Sequence, residues 1–191
     1  MAERDWRAQK RSETRRRITT AAFALFDERG YATVSVGEIA HAAGVSVPTF
    51  YAYFRTKEHV VLPEQDLDWI GPHLAGQPAG VPLPEQIRLG VQRMVSGLDE
   101  DELGLLLRRW RYVREDHTLQ LRGADRENRS ARVVVAELGV DPDTPEGAAT
   151  VVVVAACLRA ATAALLRWAA GAGRSSLPQL LDEAFAALRS I

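Results

Sequence analysis

The chain contains few of the residues on which disulfide, metal or nucleophilic chemistry depends. It has a single cysteine, Cys157, which excludes a disulfide framework and a cysteine-based zinc site. We expect this thiol to be buried and inert. The four histidines show no ligand spacing, so we predict no metal site. Neither a phosphate-binding glycine loop nor a complete catalytic motif occurs. We therefore predict no cofactor, no catalytic residue and no enzymatic activity, with a small-molecule-modifying enzyme as the alternative.

Long apolar runs and a secretory signal are also missing. The longest apolar stretch, residues 147–158, ends at Arg159 and is shorter than the ~20 residues of a membrane-spanning helix. The N-terminus is charged and no apolar segment follows it. With 47% hydrophobic and 26% charged residues, the composition is that of a soluble globular protein. The sequence therefore predicts a cytoplasmic protein that has no membrane partner.

The net charge of −1 conceals an uneven distribution of charge along the chain. Residues 4–17 contain seven basic side chains against two acidic ones, Asp5 and Glu13. A basic segment of this kind suits the binding of a polyanion such as nucleic acid, and a solvated helix face is the alternative interpretation. We predict that residues 1–10 form a basic flexible arm.

Apolar periodicity predicts helices along most of the chain and no strand. A first helix is expected at residues 12–29, and capping residues begin three short helices. The three helices are expected to run from the cap at Ser35 to about Ala43, from Ser46 to about Phe54 and from Thr56 to about Trp69. Four prolines predict a loop at residues 71–84. Further helices are predicted at about 84–97, 99–113, 117–138, 145–170 and 177–190. The fold class is therefore all-α.

Two short helices joined by a tight turn at residues 39–46 match the requirements of a helix-turn-helix. Ala40 and Ala43 are small where two helices approach closely, and Gly44 permits the positive φ of a sharp turn. The second helix would present its N-terminal residues to the major groove of DNA. The predicted DNA-binding residues are Arg15, Ser35, Ser46, Val47, Pro48, Thr49, Tyr51, Tyr53 and Lys57.

These candidates are expected to play different parts. Val47, Pro48, Thr49 and Tyr51 would contact base edges, whereas Tyr53 and Lys57 would reach phosphates. The alternative for Tyr51 and Tyr53 is that they are core aromatics. For Phe50 and Phe54, whose spacing of four places them on one helix face, burial is the expectation.

The combination of these residues resembles the N-terminal signature of the tetracycline-repressor (TetR) family over residues 20–60. The residues that carry the resemblance are Thr33-Val34-Ser35-Val36, Ile39-Ala40, Ala43-Gly44-Val45-Ser46, Thr49-Phe50-Tyr51, Tyr53-Phe54 and Lys57-Glu58. One departure is Pro48, which stands where the family very often has glycine. The backbone approach at the start of the recognition helix is therefore expected to differ.

The resemblance implies an all-helical homodimer that binds a palindromic operator in double-stranded DNA. It implies a repressor that is released when a small-molecule effector fills the C-terminal domain. The expected domains are the arm at residues 1–10, a three-helix helix-turn-helix domain at 11–56 and a helical ligand-binding and dimerisation domain at 57–191. A helical adaptor dimer that does not bind DNA is the remaining alternative.

Two sets of residues are candidates for the functions of the C-terminal domain. An apolar cavity for the effector is predicted near Met94, Trp110, Tyr112 and His117, with ordinary core packing as the alternative. Residues 145–170 and 177–190 are apolar on more than one side, and a second copy of the chain is their expected cover. The predicted dimer interface comprises Leu158, Ala161, Leu165 and Trp168. Arg159 and Arg167 are then expected to point to solvent or to Asp182 or Glu183.

Overall fold

The computed structural model describes residues 2–63 and 80–190, and within these ranges the chain is helical and contains no strand. The predicted all-α fold is confirmed. The chain divides into two compact units, Met1–Pro63 and Glu64–Ile191. The division falls at Pro63, several residues after the boundary at residue 56 that the sequence predicted, because the short helix after the helix-turn-helix packs with the first unit.

The first unit contains four α-helices and one turn of 3-10 helix. They are α1 (Ala2–Arg29), the 3-10 helix (Tyr31–Thr33), α2 (Val36–Ala42), α3 (Val47–Tyr53) and α4 (Glu58–Val61). Helix α1 begins ten residues before the predicted start at Ser12, so the segment predicted as a flexible arm is helical. Residues 2–11 contain neither glycine nor proline and are mostly residues of good helix propensity, which explains the longer helix.

The turns between these helices follow the sequence signals closely. Gly30 ends α1 with a φ of 82°, and Gly44 turns the chain between α2 and α3 with a φ of 64°, both in the region that favours glycine. Buried aromatic side chains hold the helices together. Phe26 contacts Phe23 and Tyr31 at centroid distances of 5.9 and 5.1 Å. Trp69, the predicted end of the fourth helix, lies outside the described residues.

Between residues 80 and 190, the part of the second unit that the structure describes contains five longer helices. They are α5 (Leu83–Ser96), α6 (Glu100–Glu115), α7 (His117–Glu137), α8 (Pro145–Ala170) and α9 (Leu177–Arg189). Their bounds lie within about two residues of the predicted ones because polar N-caps begin most of them. The capping side chains are Asp99, Asp116, Thr144 and Ser176. Helix α5 begins inside the predicted loop, since Pro84 occupies the first turn, where a missing amide costs no hydrogen bond.

Helix α8 is the centre of the second unit and packs against α5, α6, α7 and α9. Its buried side chains include Val154, Cys157 and Trp168, which join Leu181 and Phe185 of α9 in one core. Burial raises the pKa of the Cys157 thiol to about 11, as expected of a structural cysteine. The expectation of a buried thiol is confirmed.

The apolar character of α8 exceeds what its core contacts require. An 18-residue window of this helix has a mean hydropathy of 2.1, which meets the length and composition of a membrane span. The sequence argument that stopped at Arg159 therefore did not exclude a span by length, because the helix continues past that residue to Ala170. Only 28% of the window is buried within the chain, so an apolar face of α8 is exposed.

The start of α8 provides a test of the packing. Gly147 is buried, and a Cβ atom there would overlap the carbonyl oxygen of Asp141 and lie 2.9 Å from Cα of Pro142. Gly147→Ala should therefore destabilise the fold by about 1–3 kcal/mol, because the obstacle is backbone. Gly104→Ala in α6 is the matched control, since its Cβ would meet nothing within 4 Å. It should stabilise the protein by about 0.5–1 kcal/mol. Urea unfolding measures both, and equal effects would contradict the packing.

Candidate nucleic-acid interface

The N-terminus of α3 is held by a side-chain cap. Ser46 Oγ accepts a hydrogen bond from the backbone N–H of Thr49 at 3.1 Å, and the two hydroxyl oxygens lie 2.7 Å apart. Pro48 occupies the first turn without costing a hydrogen bond. The hydroxyl groups of Ser46 and Thr49 are therefore engaged with each other. Thr49 is half-buried, whereas Ser46 and Pro48 are exposed.

The two faces of α3 differ sharply in exposure. Phe50 and Phe54 are 0% and 2% exposed and pack together at a centroid distance of 5.7 Å, which confirms their predicted burial. On the outer face, Val47 is 40% exposed and Tyr51 is 51% exposed. The Tyr51 ring lies edge-on to Phe50 at 5.6 Å, which orients it on the surface. Tyr51 is thus not a core aromatic, while Tyr53 is half-buried.

Ser35 begins α2 in a reciprocal capping arrangement with Glu38. Glu38 Oε2 accepts hydrogen bonds from the Ser35 N–H at 2.8 Å and from the Ser35 hydroxyl at 2.7 Å, and Arg29 lies 2.7 Å from the same carboxylate. The bonds from Ser35, followed by the bond from Arg29, lower the pKa of Glu38 to about 2. Ser35 is exposed at the helix start, but its hydroxyl proton is already donated. It would have to leave Glu38 to bind a phosphate.

Lys57 makes contacts inside the first unit. Its Nζ donates hydrogen bonds to the carbonyl oxygens of Tyr31 at 2.8 Å and Val34 at 3.0 Å, and lies 4.3 Å from the centroid of the Tyr31 ring. We call this arrangement of Lys57 with Tyr31 and Val34 the Lys57 clamp. Its ammonium group thus serves the carbonyls of the segment between α1 and α2, and a phosphate contact of Lys57 stays a prediction. Next to it, Tyr31 donates to Glu58 at 3.1 Å.

Arg15 also makes a contact within the first unit. Its guanidinium carbon lies 4.5 Å from the centroid of the Phe54 ring, and the side chain is half-buried. This cation–π contact joins α1 to the end of α3. Between residues 9 and 17 of α1, the exposed basic residues are Lys10, Arg11, Arg16 and Arg17. None of these four was a candidate contact in the sequence, because only their number, and not their exposure, could be read there.

The candidate effector residues of the second unit lie in different surroundings. Tyr112 is buried, Trp110 is half-buried, and Met94 packs against the main core. His117 is exposed at the first residue of α7, apart from the core that Met94 contacts.

A cleft of about 490 Å³ lies elsewhere in the second unit, between α5 and α9. Its lining residues are Glu85, Arg88, Asp182, Glu183, Ala186 and Arg189. Arg88 hydrogen-bonds Glu85 and Asp182 there, which lowers the pKa of Glu85 and raises that of Arg88. The cleft contains none of the predicted effector residues, and five of its six lining residues carry a charge.

The predicted dimer interface faces the core of the protomer. Leu158, Ala161 and Trp168 are less than 10% exposed, and Leu165 packs against the same core. The sequence did not indicate this burial, because α8 has two apolar faces and spacing alone does not show which one the other helices cover. Arg167 does pair with Glu183 at 2.6 Å, as expected from the sequence.

The exposed apolar face of α8 lies on the side of the helix opposite these buried residues, and we call it the outer face. Its exposed members are Ala149, Val152, Val153 and Ala163, and the half-buried Ala156 and Ala160 continue the stripe. Val152 is 68% exposed. Arg159, at the edge of this face, lies 3.6 Å from Glu127 of α7 instead of pairing with an acid of α9. The small side chains leave the backbone of α8 accessible to close packing.

A family model of the bacterial regulatory proteins of the tetR family matches residues 18–62, which span the helix-turn-helix. Similar folds occur among solved structures. A TetR-family transcriptional regulator from Streptomyces coelicolor is 23% identical, with a TM-score of 0.52, and the match covers 94% of this chain and 81% of that one. NalD, the secondary repressor of the MexAB-OprM multidrug efflux pump in Pseudomonas aeruginosa, is 21% identical, with a TM-score of 0.51 and coverage of 93% and 96%.

The chain is therefore a helix-turn-helix protein with a helical second domain. Over residues 18–62, within its first unit, it is similar to the bacterial regulatory proteins of the tetR family.

The Lys57 clamp predicts the outcome of removing this lysine. Lys57→Ala should destabilise the first unit by about 2–3 kcal/mol, because two carbonyl groups lose a charged donor. DNA affinity should fall through unfolding, while the salt dependence of binding stays unchanged. The other lysine, Lys10, is exposed, and Lys10→Ala should leave thermal unfolding unaltered. A Lys57→Ala protein of normal stability whose binding depends less on salt would instead assign Lys57 to a phosphate contact.

Proposed function

We propose that this protein is a transcriptional repressor that acts in the cytoplasm, binds a palindromic operator as a homodimer and leaves it when a small-molecule effector binds the second unit. The observation that carries the proposal is the outer surface of α3. It presents Val47, Pro48 and Tyr51 to solvent within a tetR-family helix-turn-helix. A recognition helix must expose side chains near its N-terminus in this way to reach base edges.

The chemistry of that surface favours apolar and hydroxyl contacts with DNA. Val47 and Pro48 can contact thymine methyl groups, and the Tyr51 hydroxyl can donate to a base edge or a phosphate. Thr49 would contribute mainly by capping, because its hydroxyl lies 2.7 Å from that of Ser46. Ser35 and Tyr53 remain candidates for phosphate contacts at the rim of the interface.

Homodimer formation accounts for the outer face of α8. An apolar helix face left open in water is unfavourable, and a two-fold partner buries the same face twice. The stripe of alanines allows two such helices to approach closely. Two copies related in this way would present two α3 helices, which is the arrangement that a palindromic site requires.

The effector is proposed to bind between the helices of the second unit. Met94 of α5 and Trp110 and Tyr112 of α6 remain candidates for its site, since apolar side chains between bundle helices form the usual small-ligand pocket.

A binding experiment with Tyr51 tests the DNA-reading surface. The protein should bind a DNA fragment from upstream of its own coding sequence more tightly than it binds random DNA. Tyr51→Ala should reduce this discrimination by about 1–3 kcal/mol, because a base contact is lost. Leu121→Ala, at an exposed position of α7, is the control and should bind like the wild type. Fluorescence anisotropy at fixed salt measures all three proteins. Wild-type protein that binds no duplex, or Tyr51→Ala with full discrimination, contradicts the proposal.

A charge test of the outer face locates the dimer contact. The double variant Val152→Glu/Ala163→Glu changes two exposed positions, so the fold of the protomer should persist. Burying these carboxylates in a symmetric interface would cost several kcal/mol, so monomers should form at micromolar concentration. Leu121→Glu on α7 is the matched control and should stay dimeric. Light scattering distinguishes the states. A folded double variant that remains dimeric would place the contact elsewhere.

A further inference from the structure

Helix α1 continues well beyond the packed part of the first unit. Ile18 is the first described side chain of α1 that is fully buried. Before it in the helix, Arg15 contacts the ring of Phe54. Residues 2–14 therefore form a helical extension, which we call the arm. At 1.5 Å per residue the arm is about 20 Å long. It starts beside Phe54, the residue that ends α3.

The described surface of the arm is polar and carries more basic than acidic groups. Lys10 and Arg11 are exposed on it beside one exposed acid, Glu13, and Arg16 and Arg17 are exposed where it joins the domain. Trp6 is the exposed aromatic of this segment, 58% accessible, and Lys10 Nζ lies 4.9 Å from its ring centroid. This stacking holds the ammonium group on the helix surface without neutralising it.

We propose that the arm binds the phosphate backbone of DNA next to the bases that α3 reads. This inference rests on the function proposed above and adds a second contact region to it. Double-stranded DNA carries one charge per about 1.7 Å of its axis, so an arm of this length can reach several phosphates. Because the arm is helical, its cations are already ordered, and binding loses less conformational entropy than it would with a flexible segment.

An anionic lipid surface is the other polyanion that could attract such a helix. Helices that lie in a membrane interface carry a continuous apolar face. The described arm residues Gln9, Lys10, Arg11 and Ser12 form a polar run. Trp6 is the one large apolar residue in the sequence of residues 2–14. The contact of Arg15 with Phe54 also ties the base of the arm to the DNA-reading helix. These features favour DNA.

The salt dependence of binding tests the arm directly. In a dimer bound to a palindromic site, Lys10→Ala/Arg11→Ala removes four cations and should lower the slope of log K against log salt by about 3.6 units, since each phosphate contact contributes about 0.9. Between 50 and 200 mM salt, the variant should therefore lose affinity about a hundredfold less than the wild type does. The control Arg111→Ala/Arg122→Ala removes the same charge from exposed positions of the second unit and should keep the wild-type slope. Thermal unfolding should be unchanged in both variants, because all four positions are exposed.

A shortened duplex locates the contact. On DNA trimmed to the two half-sites, the slopes of wild type and arm variant should converge, because the flanking phosphates are gone. An arm variant that keeps the wild-type slope on long DNA overturns the inference, even though the wild type binds. Loss of binding to phosphatidylglycerol vesicles, with the DNA slope intact, would assign the arm to membranes instead. Wild-type protein that binds no duplex would contradict the repressor function itself.

Discussion

Helix α3 has seven residues, fewer than two full turns, and a helix of this length is not stable in water by itself. Its existence depends on interactions at its ends and along its inner face. Ser46 satisfies an amide at its start, and Phe50 and Phe54 anchor it to the domain core. The same packing orients Val47 and Tyr51 outward. Reading of DNA by this surface would therefore depend on aromatic side chains that never touch DNA.

The charged residues of the first unit divide between internal and external roles. Lys57 and Arg15 both carry charges that the sequence predicts to contact DNA, yet one holds two carbonyl oxygens and the other covers an aromatic ring. Their contacts lie 23 to 39 residues away along the chain, as the sequence numbers show. Lys10, Arg11, Arg16 and Arg17 of α1 are exposed instead. Local sequence therefore gives the number of positive charges near α3, but not which of them face solvent.

The second unit is organised by a helix that is apolar on two sides. One side of α8 packs against the other four helices and supplies Val154, Cys157 and Trp168 to their core. The other side exposes Val152 and a row of small residues. Both sides show the spacing of three and four that marks a buried helix face. A helix of this composition also meets the criteria for a membrane span, so composition alone does not distinguish a core, an interface and a bilayer.

Sequence alone determined the features that depend on neighbouring residues. The caps at Ser35 and Ser46, the turn at Gly44 and the helices of the second unit follow from local hydrogen bonding and backbone sterics, and they appear where the sequence predicted them. The all-α class and the helix-turn-helix follow from the same signals. Only the tertiary structure decided which polar groups were already occupied and which apolar face of α8 remained exposed. These properties depend on contacts between residues distant in the chain, as the Lys57 clamp and the burial of Trp168 illustrate, and no local pattern specifies them.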